Sequence, residues 1–478
     1  MDWFFPVWKN GAETRKVWGW TFRWTALHPS AEALHQMKFT YDRLADDCLE
    51  RLNKISPPKR RTAGETLERD LYALLRDNAS RDDKLQELWD QVNTIPDWVD
   101  WEQIERGQEV FYRYGMANLS ALPFQSLLGG MGAGRIAEVL VRTGGFSPKV
   151  ARRRLFETTQ HVLQVTRSLD SIKPGGDGHA SSVRVRFLHS AVRQHITKLA
   201  QRRPDYWNLE RFGVPVNDLD CILTICAFST VVIYLGLPRQ GIWLTDQEIA
   251  DYVALWRLVG YYLGTPTEPF ENAEKARAWM ESLLVSELQP TETSQVLARN
   301  ILLSLDNNYP LYASREFMEA LVRWMNGNEL SDKLGMRRPS MFYWVLVAGY
   351  CLFIVTMSYI QRIFPDFDKN IISIRRRRYY RLIMDEKQGL GKETKFNFKY
   401  AGENTVGSLS LGETVSLNRK KRGIETMAYV GLMIAGLFLA IVGSLAVLLL
   451  GNPYVKQALL SVSQQTEAYT ARLKITPT

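Results

Sequence analysis

This sequence predicts an all-α fold, a large helical domain followed by one or two membrane helices, and three observations carry that expectation. Apolar residues recur at spacings of three and four through most of the first 340 residues. No run alternates apolar and polar residues as a half-buried strand would, and no strands and helices alternate as in a parallel sheet. Near the C-terminus two uncharged stretches, Met341 to Ile360 and Met427 to Gly451, are long enough to cross a bilayer as helices. The chain therefore divides into a helical domain at 1–340, an apolar helix and candidate span at 341–360, a basic linker at 361–426, a membrane helix at 427–451 and a tail at 452–478.

Taken in order, the opening segment MDWFFPVWKNGAETRKVWGWTFRW sets tryptophans among charges. That pattern suits neither a signal peptide nor a span, and the indoles are expected to pack into a core. From Ser30 to about Asp100 the pattern is helical, with Leu34, Met37, Tyr41, Leu44 and Cys48 three or four apart, broken by the linker ISPPKRRTAGE. The cluster Gly129, Gly130, Met131, Gly132, Ala133, Gly134 superficially invites a dinucleotide-binding reading. No buried strand precedes it, so close backbone approach to a flat ligand or a neighbouring helix is the expectation instead. Glu138 follows in the apolar run Ile136 to Val141, where a carboxylate suits a general acid or base or simply a salt-bridged helix position.

The stretch Ser147 to Arg193 organises the rest. Ser147 and Pro148 read as a helix start. Arg154 and Thr158 share a face, as do Leu155, Thr158, His161, Val162 and Val165. The turn Pro174 to Gly178 stops this helix, and Ser181 or Ser182 is expected to cap the next. There Arg186, His189 and Arg193 lie at i−3, i and i+4, setting one imidazole between two guanidiniums. Two cations hold the ring neutral, so its lone pair can go to a metal while the arginines face an anion. A haem meets both demands, iron for the nitrogen and propionates for the guanidiniums; a core histidine beside two surface arginines satisfies the same spacing.

Leu219 to Leu237 is nearly all apolar but holds Asp220 and ends at Gly236 and Pro238, which favours a buried core helix. Thr245 and Glu248 form a capping box for a helix through Leu263 whose Val253, Trp256, Leu258 and Tyr261 face core or cavity. Cys48, Cys221, Cys226 and Cys351 make no C-x-x-C pair, so neither a structural zinc site nor a disulfide framework is expected. Fifteen of the basic residues lie between 361 and 426, while only Lys456, Arg472 and Lys474 follow the last apolar stretch. The net charge of +9 thus reads as attraction to anionic lipid, with no need for nucleic acid, and the basic linker is placed in the cytosol.

The runs RRRLFETTQ, RVRFLHSAVR and EIADYVALWRLVGYYLG, in that order, resemble the catalytic domain shared by latex-clearing rubber oxygenases and a fungal oxygenase bound to the endoplasmic reticulum. The resemblance extends from about Trp20 to Leu346. It implies a globin-like core binding haem b, with His189, in R-x-x-H-x-x-x-R, as the axial ligand of the iron. It also implies Arg186 and Arg193 beside the haem, and Glu138, Arg154 and Thr158 on its distal side. One position departs: Glu157 stands where the rubber oxygenases carry a lysine that can close the distal iron site. The implied activity is O₂-dependent cleavage of a carbon–carbon double bond in an isoprenoid or other lipophilic chain, at the endoplasmic reticulum membrane. Glu138 would remove an allylic proton, oriented by Arg154, and Thr158 would offer its hydroxyl to oxygen or water. A haem peroxygenase or hydroxylase would use the same residues, and a membrane protein that keeps the fold without catalysis is the remaining alternative.

Overall fold

The computed structural model describes residues 13–58, 69–144, 146–398 and 423–451, and helices dominate all of them. The first tryptophans, most of the ISPPKRRTAGE linker, the Arg419 to Arg422 run and the tail from 452 lie outside the described residues. The fold is all-α with one small exception. Strands β1 (Thr14–Val17) and β2 (Trp20–Arg23) pair as an antiparallel hairpin. Its turn puts Trp18 and Gly19 at φ 49° and 74°, the left-handed backbone that two-residue hairpins need. Trp20 and Phe22 face the core, and the Trp20 indole donates to Glu281 Oε1 at 3.0 Å, so these tryptophans pack as expected.

The expected helix from Leu34 to Cys48 is broken. Asp42 accepts a hydrogen bond from the Ala45 amide and restarts the chain as α1 (Arg43–Ile55). With α2 (Leu71–Asn78) and α3 (Asp83–Asn93), α1 builds a satellite core against one face of a long helix further on. Helix α4 (Trp101–Arg113) leads into a widened π-helical stretch, Ala121–Leu127. The glycine cluster then does what close packing asks of it. A side chain at Gly134 would sit 2.7 Å from the Gln289 carbonyl, so glycine there lets the two backbones approach.

Helix α5 (Gly134–Arg142) precedes α6 (Pro148–Thr166), which starts on Ser147 and Pro148. Helix α7 (Asp177–Arg202) begins at Gly176, earlier than the serines suggested. Ser181 and Ser182 lie inside it and donate back to the Gly178 carbonyl. Helices α6 and α7 pack together as the central pair. Helix α8 (Asp218–Phe228), with the helical turns up to Arg239, is mostly buried, as expected for a core helix. Helix α9 (Asp246–Tyr262) carries the complete Thr245–Glu248 capping box and packs on α4. Helices α10 (Ala273–Ser286), α11 (Glu292–Leu305) and α12 (Arg315–Lys333) close the far side.

The C-terminal third differs most from a linker joining two spans. Helix α13 (Met341–Ile363) is apolar enough to cross a bilayer, yet both ends are held by the same domain. Trp344 packs on Trp324 near its start, and near its end Arg362 donates to the Trp243 carbonyl and pairs with Glu248. Helix α14 (Pro365–Ile383) then folds back onto α4 and α6. The segment after it runs into the domain, where Thr394 exchanges hydrogen bonds with the Gln160 amide at 2.8 and 3.2 Å. Residues 365 to 398, expected as part of the basic linker, therefore pack with the domain. Helix α15 (Gly423–Gly451) packs its first turns on α13, where a side chain at Gly431 would clash with the Gly349 carbonyl. Beyond them Met433, Leu437, Phe438 and Leu439 are exposed.

Candidate functional site

A cavity of about 540 Å³ lies at the centre of the domain, within the range of small-molecule and cofactor sites. Most of its wall is apolar. Helix α5 contributes Ile136, Val139, Leu140 and Thr143, and α6 contributes Arg154, Leu155, Thr158, His161 and Val162. Helix α7 contributes Val185, Leu188, His189 and Val192, and the returning segment adds Phe396 and Phe398. Arg154, Thr158 and His189, three of the six residues singled out in the sequence, border this one space.

Glu138 does not. Its carboxylate pairs with Arg142 and accepts from the Thr293 hydroxyl, both at 2.5 Å. The reason is rotational: with 100° per residue, Glu138 points about 150° away from the stripe formed by Ile136, Val139, Leu140 and Thr143. Glu138 is therefore not held by Arg154, and the role expected for it as a cavity base is withdrawn. Two carboxylates border the cavity, Asp220 and Glu157, and Glu157 lies 3.2 Å from Arg153 and 3.8 Å from Arg154.

Arg186 and Arg193 are also corrected. Arg186 forms a two-pronged pair with Asp42 at 2.6 and 3.0 Å and reaches Gln91 Oε1 at 2.9 Å. Arg193 grips Asp46 at 2.8 to 3.1 Å and donates to the Val216 carbonyl. On a helical wheel both arginines fall about 40° to 60° to one side of His189, while Val185, Leu188 and Val192 fall on the other. The arginine side faces α1, whose Asp42 and Asp46, four apart, present two carboxylates to meet it. Gly264 at φ 73° makes room for this seam, since a side chain there would lie 2.4 Å from Asp42 Oδ2. Both guanidiniums are engaged by carboxylates of α1 and neither arginine borders the cavity, although Arg186 Nη1 is buried with no hydrogen-bond partner among the described residues.

His189 sits at the boundary between seam and cavity. Burial pushes its pKa down to about 4, Arg193 adds to this and Asp42 opposes it, so the ring is neutral. His161 is a second neutral imidazole on the same cavity. Its pKa is also lowered to about 4, by burial first and then by His189. His161 Nδ1 lies 3.0 Å from Ser181 Oγ, while Nε2 is buried with no hydrogen-bond partner among the described residues. The sequence put His161 on the right face but gave no reason to prefer it, because the Ser181 contact joins two helices. Phe396 crosses the His161 ring edge to face at 6.2 Å, a contact no local pattern announces. Across the cavity Asp220 has its pKa raised to about 6 by burial, against the pull of Arg135 at 2.6 Å.

The site is thus a largely apolar cavity inside a helical domain, bordered by two neutral imidazoles and a small polar cluster. Comparison gives the family. The chain belongs to the family of the catalytic domain of the ER-bound oxygenase mpaB/B' and rubber oxygenase, whose model matches residues 112–356. That span includes α5 to α9 and hence most of the cavity. A structure of latex clearing protein in the closed state is similar in fold, with a TM-score of 0.53 at 16% identity over 70% of this chain and 91% of that one. No curated protein matches the chain in sequence.

Proposed function

We propose that this protein is a membrane-anchored, haem b-dependent oxygenase that uses O₂ to cleave a carbon–carbon double bond in an isoprenoid or other lipophilic chain. The observation that carries the reading is the pairing of a neutral imidazole, His189, with an apolar cavity of cofactor size. Among the described residues no three His, Cys, Asp or Glu side chains gather to hold a bare metal ion. One imidazole is nevertheless enough where a porphyrin supplies the other ligands. The residues fit on the nitrogen side and not on the acid side expected of Arg186 and Arg193, since both pair with carboxylates of α1 and neither borders the cavity.

When bound, haem b would supply the oxygen chemistry. The protein's part is to bind, orient and exclude water. His189 would hold the iron. The Thr158 hydroxyl borders the cavity one turn from Arg154 and can donate to an oxygen there. Glu157, paired with Arg153 and Arg154, is the carboxylate placed to accept a proton from substrate. The apolar wall favours a hydrocarbon chain, and O₂ partitions readily into such a space.

The anchor is the exposed part of α15, with no polar side chain between Met427 and Val442 except Tyr429. A span at α13 would need the domain that holds both of its ends to cross as well. With α15 as the crossing helix, the domain and the basic residues of 361–426 share one side, which the positive-inside bias makes cytosolic. The family description supports the endoplasmic reticulum. The test is a visible spectrum and product analysis of the full chain purified in detergent. A Soret band that His189→Ala abolishes, and carbonyl-terminated fragments from an isoprenoid, are expected. An intact, oxygenated chain would instead mean hydroxylation.

A further inference from the structure

We propose that Arg239 is a substrate-binding residue of this cavity, and that the lipophilic molecule the cavity takes carries a carboxylate, which pairs with the Arg239 guanidinium. This names the substrate class within the reading above of a lipophilic chain, and it does not depend on the haem. Two arginines border the cavity among the described residues, Arg154 and Arg239. Arg154 lies 3.8 Å from Glu157, whereas Arg239 pairs with no described carboxylate. Burial lowers its pKa to about 10, and no neighbouring charge opposes that shift.

The other buried guanidiniums set the comparison. Arg135 sits between Asp220 and Glu287, Arg186 and Arg193 hold Asp42 and Asp46, and Arg323 holds Asp332. Arg375 donates to two carbonyls, and burial lowers its pKa too, but Tyr379 and Asp368 oppose the change. A charge taken out of water needs an opposite charge, because hydrogen bonds to neutral groups replace only part of its hydration. Arg239 has only neutral partners: Gln125 Oε1 at 3.2 Å, the Trp18 carbonyl at 3.1 Å and the Met325 carbonyl. Those contacts use Nη1 and Nη2. Nε donates to no described group and is not sealed in the packing, so a donor remains for a molecule in the cavity.

Capping accounts for part of this arrangement. Gly327, at φ 77°, interrupts α12, and the Met325 carbonyl just before the break accepts from Arg239. A helix end offers only about half a unit of negative charge, so the guanidinium keeps a positive excess. The size of that excess selects the ligand group. One guanidinium fork balances one carboxylate. A phosphate monoester carries nearly two negative charges, and no lysine borders the cavity to meet the second. The mostly apolar wall suits the rest of the molecule.

The experiment is equilibrium binding of cis-parinaric acid and its methyl ester to the full chain in detergent, under argon and at a pH that keeps the acid ionised. Energy transfer from tryptophan reports it, since Trp18 and Trp20 border the cavity. Haem content is measured in the same samples. Wild type is expected to prefer the acid over the ester by about tenfold or more, the scale of a charge-assisted hydrogen bond. Arg239→Met should bind the ester as wild type does and show no preference. If Arg239→Met does not fold, Arg239→Gln keeps a donor for the cap without the charge, and should also lose the preference. Equal binding of acid and ester by wild type, or a preference that survives in the folded variant, overturns the proposal and leaves Arg239 a cap. A preference that disappears when haem is added overturns it as well, giving the guanidinium to the cofactor's acid groups. A chain that takes up no haem yet keeps the preference removes the haem reading and leaves this one standing.

Discussion

Replacing Arg193 by alanine separates a seam that holds the fold from one that holds a ligand. The guanidinium is 3% exposed and makes three contacts of 2.8 to 3.1 Å with Asp46, besides its bond to the Val216 carbonyl. Burial already raises the Asp46 pKa, and Arg193 is the main force opposing that rise. Its loss leaves a largely buried carboxylate without its cation. Breaking a buried pair from one side costs about 3–5 kcal/mol, and the partial exposure of Asp46 puts this case near 3. At about 2–4 °C per kcal/mol for a large domain, the haem-free protein should melt roughly 6–12 °C lower. Lysine should not rescue it, because a single ammonium cannot reproduce the two-pronged contact. Asp46→Leu combined with Arg193→Met should recover much of the loss. The assay is thermal unfolding of the haem-free full chain followed by circular dichroism. A haem-free Arg193→Ala that melts within about 2 °C of wild type, but no longer retains haem, would refute the assignment and return Arg193 to the propionates.

Acidification should unfold the protein partly through His179. Both its nitrogens are bonded as a neutral ring, and burial lowers its pKa from 6.5 to about 4. Between those values the unfolded chain binds a proton that the folded one refuses. The stabilisation is therefore complete above pH 6.5 and falls as pH drops towards 4, by about 3 kcal/mol at most. His179→Gln should flatten the decline in melting temperature between pH 7 and pH 4.5, and equal slopes would count against it. Ending the chain after Leu432 keeps the turns of α15 that pack on α13, including buried Ile424 and Ala428, and removes the exposed apolar part. That protein should leave the membrane pellet and melt as the full domain does. If it stays in a carbonate-washed pellet, the exposed side of α13 embeds in lipid by itself.

How much of the site could be read in advance depends on how far apart its partners lie. The α6 face was legible, because Arg154, Thr158 and His161 repeat at the period of a single helix and the cavity needs only that face. Arg186, His189 and Arg193 were correctly put on one side of α7, yet spacing does not say which neighbour each side chain meets. Asp42 and Asp46, some 150 residues earlier, decided it. Glu138 lies off the cavity because its helical position turns it away from Ile136 and Leu140, a rotation the spacing of these residues already sets. The hairpin at Trp18 and Gly19 leaves no pattern in the sequence, because each strand has only four residues, too few to show alternation.

The sequence by itself determined the helical class, several helix starts and the apolar helices, since capping, periodicity and hydropathy act within a few residues of one another. The tertiary structure alone decided which of two apolar helices stays with the domain, where residues 365 to 398 go, and why His161 differs from His179. Those outcomes rest on contacts between residues far apart in the chain, such as Gln160 with Thr394 and Ser181 with His161. A side chain's partner is set by what packing brings within about 3 Å of it, and no local pattern carries that information.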